Sequence, residues 1–411
     1  MPRHVPSTLP DRTLALRADP YRFVGERCRA AGRDAVETRL MLRRAVVMTG
    51  PEAAAVFYDP ARFVRAGASP EPLRATLFGK GAVQTLDGAA HAARKALFLA
   101  LLGPEQVERL VAIVRTRLDR AARAWPRADA VPLHEAMQGV LTRSVCDWAG
   151  VPLPAEDLAL RTVQLASLYD DAMSAHHLRA RRNRREVEAW IASAIEAARA
   201  GHGAAEGTPL HAVAAHRDAD GEPLPARVAA VETLNLLRPT VAVAVYATFA
   251  AHALHRLPAW RDALRAQPGL GDCFAKEVRR FYPFFPLVAA RVREPFSWQG
   301  VAFRTGRLAL FDLYGTNHDP RCWEAPERFR PERFLEGRPG PFEFVPQGGG
   351  DARTGHRCPG EGVAQEVTRA VLGWLVERIV YEVPEQDMSL DMTRLPAVPR
   401  SGFRIANLRL R

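Results

Sequence analysis

Residues 355–361 read Gly355-His356-Arg357-Cys358-Pro359-Gly360-Glu361, and the fold turns on how Cys358 is read. The segment that follows, from Glu361 to about Arg378, has the apolar spacing of a helix. A sulfur just ahead of a helix faces the positive end of the dipole and free backbone N–H groups, which favour its thiolate. His356 and Arg357 add positive charge beside it. Such a sulfur can hold a metal. A solitary cysteine is more commonly a small buried apolar side chain, so the reading depends on what else the chain carries.

Three other features carry weight with it. Glu277-Val278-Arg279-Arg280 is an E-x-x-R, which places Glu277 and Arg280 on one helix face. Pro331-Glu332-Arg333-Phe334 follows and can bring a second arginine to the same carboxylate. His91-Ala92-Ala93-Arg94-Lys95 opens an earlier helix with a cationic cluster. Each alone is weak, since a helical Glu–Arg pair is by default a surface ion pair. In this order, E-x-x-R, P-E-R-F and G-H-R-C-P-G resemble the cytochrome P-450 superfamily over essentially the whole chain.

The resemblance implies one haem-thiolate domain over residues 1–411, mainly α with a smaller β-rich part. It implies haem b as cofactor, with Cys358 as the axial ligand to iron. Glu277, Arg280 and Arg333 would form the structural ion-pair triad. His91, Arg94 and His356 would lie near the haem propionates.

Two departures from ordinary members point to function. Those members place a phenylalanine seven residues before the cysteine; here Phe344 precedes it by fourteen, across Pro346-Gln347-Gly348-Gly349-Gly350-Asp351. Oxygen-activating members carry an acid followed by threonine in the long distal helix. Here that stretch is Asn235-Leu236-Leu237-Arg238-Pro239-Thr240. Arg238 stands for the acid and Pro239 for the threonine, while Thr240 falls about 100° further round the helix. A buried arginine is costly without an anion, and an internal proline costs roughly 3 kcal/mol and frees the Asn235 carbonyl. Two unfavourable choices side by side mark a functional position. Arg238 can pair with an internal carboxylate such as Glu232, or it can hold the carboxylate of a substrate through its planar fork.

Arg238-Pro239 with P-Q-G-G-G and G-H-R-C-P-G-E is similar to the bacterial fatty-acid peroxygenases of the superfamily. That resemblance implies hydrogen peroxide as oxidant and no obligatory reductase. A long-chain fatty acid would be the substrate, its carboxylate, held by Arg238, acting as general acid/base in place of the missing relay. Carbons next to the carboxylate would be oxidised, because the clamp fixes them. By position, Leu77, Phe78, Ala242, Phe284, Phe285 and Leu287 are expected to line the tunnel, with Phe285 shortening or bending it. Gln84 matches a position that is Gln in some hydroxylating relatives and His in some that form terminal alkenes. It therefore favours α- or β-hydroxylation. Decarboxylation to alkenes is one alternative, and a conventional monooxygenase fed by a redox partner is the other.

Composition is consistent with this. A formal net charge of +11 could signal nucleic acid, but lysine stands only at 80, 95 and 276, so the charge is an arginine habit and no nucleic-acid partner is expected. The dense run from Arg179 to Arg185 reads as a solvated helix face. Five cysteines without paired spacing exclude a disulfide framework or a C-x-x-C metal site. No run of about eighteen uncharged apolar residues predicts a membrane span, and the charged first thirty residues lack a secretory pattern, so a cytoplasmic location is expected. A Pro-dotted, loop-like start gives way to a hairpin from Val36–Leu42 and Ala45–Met48 and a Pro-initiated helix near 51–58. Mostly helix runs from 89 to 195, then a loop at 201–208, one buried helix over 226–256, short strands over 281–313, irregular chain over 318–345 and a strand-rich tail.

Overall fold

The expected hairpin forms, with its turn at Met41-Leu42, inside the stretch expected as its first strand. Strands Ala35–Leu40 and Arg43–Met48 pair antiparallel, with Val36 opposite Val47. Met41 and Leu42 form the turn at φ +48° and +62°, because a two-residue turn of that hand matches the strand twist. Asp11 and Thr13 accept the two turn N–H groups. The computed structural model describes residues 9–125 and 130–411, so most of the loop-like start lies outside the described residues.

The hairpin belongs to a five-stranded sheet that also contains Phe63–Val64, Leu287–Val292 and Leu308–Asp312. Arg43–Met48 and Leu308–Asp312 run parallel, which requires the long helical part of the chain as a crossover. Helix Pro51–Phe57 starts at its proline, as expected. Helices Gly88–Leu101, Pro104–Ala124, Leu133–Ala149, Leu158–Asp170 and His177–Arg199 fill the helical stretch. A short strand, Val131–Pro132, interrupts them because the tail strand Arg404–Leu410 pairs with it.

The distal helix is Ala226–Ala242 continued by Ala244–Arg256, broken at Val243. The single unbroken helix expected there is thus corrected: Pro239 offers no N–H to the Asn235 carbonyl, and four residues later the backbone tightens, Val243 bonding back to Thr240. Among the described residues this run alone is long and apolar enough to cross a membrane, although no uncharged apolar run of that length marks it in the sequence. Its most apolar window is 89% buried, as befits a central core helix. The cysteine helix is Glu361–Gly373, which ends in a π-turn, Trp374–Arg378, instead of continuing as α-helix.

Candidate active site

Cys358 precedes the N-cap Gly360 by two residues. Its backbone N–H donates to Gln347 O at 3.1 Å, which folds the long glycine loop onto the cysteine. Gly348 and Gly350 sit at φ +100° and +82°, conformations that a side chain resists. Glu361, in the first helical turn, accepts from Arg279 and from Arg357, each at 2.6 Å. Lys95 donates to Gly355 O at 3.0 Å and also to Arg357 O. Burial pushes Cys358 above its ordinary range, opposed by the Gly360 N–H, Lys95 and Arg279. Arg357 pairs with Glu361, and a bound metal is what would strip the proton.

Glu277 and Arg280 are fully buried and pair through Nε–Oε2 at 2.7 Å and Nη2–Oε1 at 2.8 Å. Arg333 joins the same carboxylate at 3.2 Å, and the Arg330 N–H adds 2.8 Å. Arg280 also donates to Asn317 O at 2.9 Å. The triad therefore rivets the irregular segment 318–345 to the helix Leu270–Phe281.

A basic cluster stands beside the cysteine loop. His91 and His356 lie ring against ring, tilted, with centroids 4.0 Å apart; His91, Arg65 and Lys95 are buried and His356 is half-buried. Burial first, then Arg65, His91 and Lys95, depresses His356 to about 2, so its ring is neutral in this setting. Asp87 reaches His356 at 3.4 Å but already accepts from the Arg65 and Ala66 N–H groups. More buried basic groups than carboxylates meet here, and a nearby thiol can take a metal. This donor set fits a doubly anionic haem. Arg94 is a correction: it binds Glu232 at 2.6 Å and Asp218 at 2.5 Å and is not free for propionates. Arg65, a residue with no sequence signal, alone in a loop after a short strand, is the buried arginine of this cluster instead.

On the distal side, Arg238 is 5% exposed. Its Nη2 donates to Asn235 Oδ1 at 3.1 Å and its Nε has no partner. Glu232, the internal candidate for pairing, is taken by Arg94, Asn235 Nδ2 at 3.0 Å and the Val83 N–H at 2.8 Å. Burial, then repulsion from Arg184, lowers the Arg238 pKa to about 9. Gln84, in the short turn Val83–Thr85, accepts from the same Asn235 Nδ2 at 3.4 Å. Gln84 and Arg238 thus meet through Asn235.

Leu77 and Phe78 end a π-helical turn, Arg74–Phe78, a geometry frequent at functional sites. Leu77 and Ala242 are buried in the helical core, with Phe78, Phe284 and Phe285 packed against it. Phe284 stacks on Tyr246 at 4.6 Å and meets Phe285 edge-on. Leu287 stands apart from the other five: it opens the sheet strand and packs with the cluster around Phe23, Val24 and Val47. The arginine-rich run is mostly paired on the surface, through Arg179–Asp171, Arg181–Glu71 and Arg182–Glu186. Arg184 is the exception. It is 2% exposed, pairs with Glu188 at 2.6 Å and donates to Thr76 O and Phe78 O at 3.1 and 3.3 Å. It pins the π-turn, a role that a run of arginines does not signal.

The cytochrome P450 family pattern matches residues 270–405. A curated relative, cytochrome P450 71A8 of Mentha piperita, is 33% identical over 128 residues, a match that spans only 25% of that protein. Solved structures match nearly all of the chain. Cytochrome P450SP alpha (CYP152B1) in complex with (R)-ibuprofen is 46% identical, with 98% of this chain and 99% of that one covered at a TM-score of 0.96. Cytochrome P450EX alpha (CYP152N1) with myristic acid is 40% identical at 0.94, with 98% of each chain covered. Ligand-free cytochrome P450 OleT is 32% identical at 0.95, again with 98% of each covered. With the cysteine loop, the buried Glu–Arg–Arg triad and the Arg-Pro distal helix all in place, the chain belongs to the cytochrome P450 superfamily and, within it, to the CYP152 fatty-acid peroxygenases.

Proposed function

We propose that the protein is a haem-thiolate peroxygenase that uses hydrogen peroxide to hydroxylate long-chain fatty acids at the α or β carbon. One observation carries the reading: Arg238 is buried on the distal helix and, among the described residues, has no carboxylate within ion-pair distance. A buried guanidinium without a counter-ion is a site for an anion, and its planar fork suits a carboxylate. The solved relatives with (R)-ibuprofen and with myristic acid both hold carboxylic acids.

Haem, when bound, would supply the oxidising chemistry; Cys358 would hold its iron, and His91, His356, Arg65 and Lys95 would hold its carboxylates. The rest is positioning. Arg238 holds the substrate carboxylate and keeps it ionised at neutral pH. That carboxylate takes and returns the peroxide proton, a task for which neither Pro239 nor the Arg238 cation has a group. Pro239 also keeps the Asn235 carbonyl free of a helical bond. Gln84 lies beside the clamp and cannot protonate as an imidazole can, which favours hydroxylation over alkene formation. Leu77, Phe78, Ala242, Phe284 and Phe285 exclude water around the chain. Residues 1–411 act as one unit in this reading, supported by Tyr21, which bonds both Phe284 O and Arg394 O. All five cysteines are unpaired, which suits a reducing compartment, and we place the enzyme in the cytoplasm.

The test is turnover of palmitic acid by the haem-loaded protein with hydrogen peroxide and no reductase, with products identified by mass spectrometry. Hydroxy acids support the reading. Alkenes as the main product favour decarboxylation. Product only when a reductase system is supplied overturns it.

A further inference from the structure

Glu232 is fully buried on the distal helix, one turn before Asn235. Its Oε1 accepts from Arg94 at 2.6 Å and from the Val83 N–H at 2.8 Å, and its Oε2 accepts from Asn235 Nδ2 at 3.0 Å. One carboxylate therefore joins three segments. These are the helix Gly88–Leu101, the turn that carries Gln84 and the helix that carries Arg238. Asp218 grips Arg94 from the far side at 2.5 Å, so Glu232 has no freedom to swing.

The chemistry of the carboxylate matters as much as its reach. An ionised carboxylate only accepts hydrogen bonds. It therefore turns the Asn235 amide so that Nδ2 faces Glu232 and Oδ1 faces Arg238. That is the one orientation in which the amide can receive the guanidinium, and it also sets Nδ2 toward Gln84 Oε1.

We propose that Glu232 is the positioning residue of this site: as a pure acceptor it fixes Arg238 and Gln84 against one another, and so sets which carbon beside the substrate carboxylate is presented for oxidation. This rests on the fatty-acid reading above. Glu232 acts through Asn235 and Val83 and touches no reacting atom.

Glu232→Gln keeps the shape but replaces one acceptor by a donor. With Oε1 held by Arg94 and Val83, the new amide nitrogen faces Asn235. The Asn235 amide must then turn over and aim its own donor at Arg238. Asn235→Ala breaks the same link while leaving Glu232, Arg94 and Val83 in contact.

The experiment compares the haem-loaded wild type with both variants. Calorimetric titration with myristic acid, without peroxide, reads binding apart from turnover. Product analysis with peroxide reads the α:β:alkene distribution, which a merely structural role does not move. Both variants are expected to bind myristate about tenfold more weakly, the loss of about one charge-assisted hydrogen bond, and to shift the α:β ratio. A Glu232→Gln protein that melts, binds and distributes products as the wild type does overturns the proposal. Where Glu232→Gln fails to fold, an Asn235→Ala protein with unchanged binding and product ratio overturns it. Absence of hydroxy acid from the wild type refutes the peroxygenase reading instead, and the myristate titration still decides the role of Glu232.

Discussion

Arg238 Nη2 and Asn235 Oδ1 lie 3.1 Å apart, and this is the guanidinium's hydrogen bond to protein among the described residues. A neutral amide orients the fork but does not balance its charge. Without ligand, Arg238 is a net burden on the fold. Arg238→Leu is therefore expected to stabilise the ligand-free protein by on the order of 1–4 kcal/mol. It should keep haem while losing about 10²-fold or more of peroxide-driven kcat/KM. Denaturant melts of the ligand-free protein, paired with turnover, check both signs, and a less stable but active variant goes against them.

Asn235→Asp places an internal carboxylate where Arg238 now meets an amide. The new ion pair should satisfy Arg238 and exclude the substrate, weakening myristate binding by about tenfold or more. It also faces Glu232 across about one hydrogen bond's length, so thermal stability should fall as well. Titration and melting of this variant read the two effects separately.

Gly79 sits at φ +91°, and a Cβ there would lie 2.1 Å from Arg184 Nη2 and 2.7 Å from Val231. Gly79→Ala should displace Arg184 from the carbonyls that pin the π-turn and cost about 1–3 kcal/mol. Because that turn carries Leu77 and Phe78, the preferred fatty-acid chain length should move. Competition within a mixture of saturated acids shows whether it does.

Asp312 is a buried carboxyl that accepts from Gly315 N at 2.7 Å and Thr49 Oγ1 at 3.2 Å, and burial pushes it up to about 7. Its folded value lies above the unfolded one, so the native state holds the extra proton. The stability this contributes is complete below about pH 4 and is lost as pH rises toward 7. Asp312→Asn removes that dependence. Urea melts at pH 5 and pH 8 should show the variant gaining on the wild type at the higher pH, and a constant difference would contradict the assignment.

Glu277 holds Arg280, Arg333 and the Arg330 N–H with no exposure to solvent. Glu277→Ala leaves two buried cations unpaired and should cost about 3–5 kcal/mol, read as a lower urea midpoint and poorer retention of haem.

Much of this was legible because the informative residues break local rules. Cys358, Arg238-Pro239 and the Glu277/Arg280/Arg333 set announce themselves by spacing or by their cost in a helix. What the sequence hid is partner choice. Arg94 looked equal to His91, yet the helix aims it at Glu232, over a hundred residues away in the chain. Arg184 looked like one more surface arginine until the fold turned it inward, and Arg65 had no motif at all. Leu287 lies close to Phe284 and Phe285 in sequence, but facing reverses from one residue to the next along a strand, so position alone does not give its side. The break at Val243 follows from Pro239, though its displacement by four residues depends on backbone bonding that composition does not reveal.

The most direct measurement sets myristic acid against its methyl ester in the haem-loaded protein, with hydrogen peroxide and no reductase. Both carry the same hydrocarbon, and only the acid offers Arg238 a carboxylate. Hydroxymyristic acid from the acid and almost no product from the ester is the result expected of the clamp. Equal turnover of the two would contradict it.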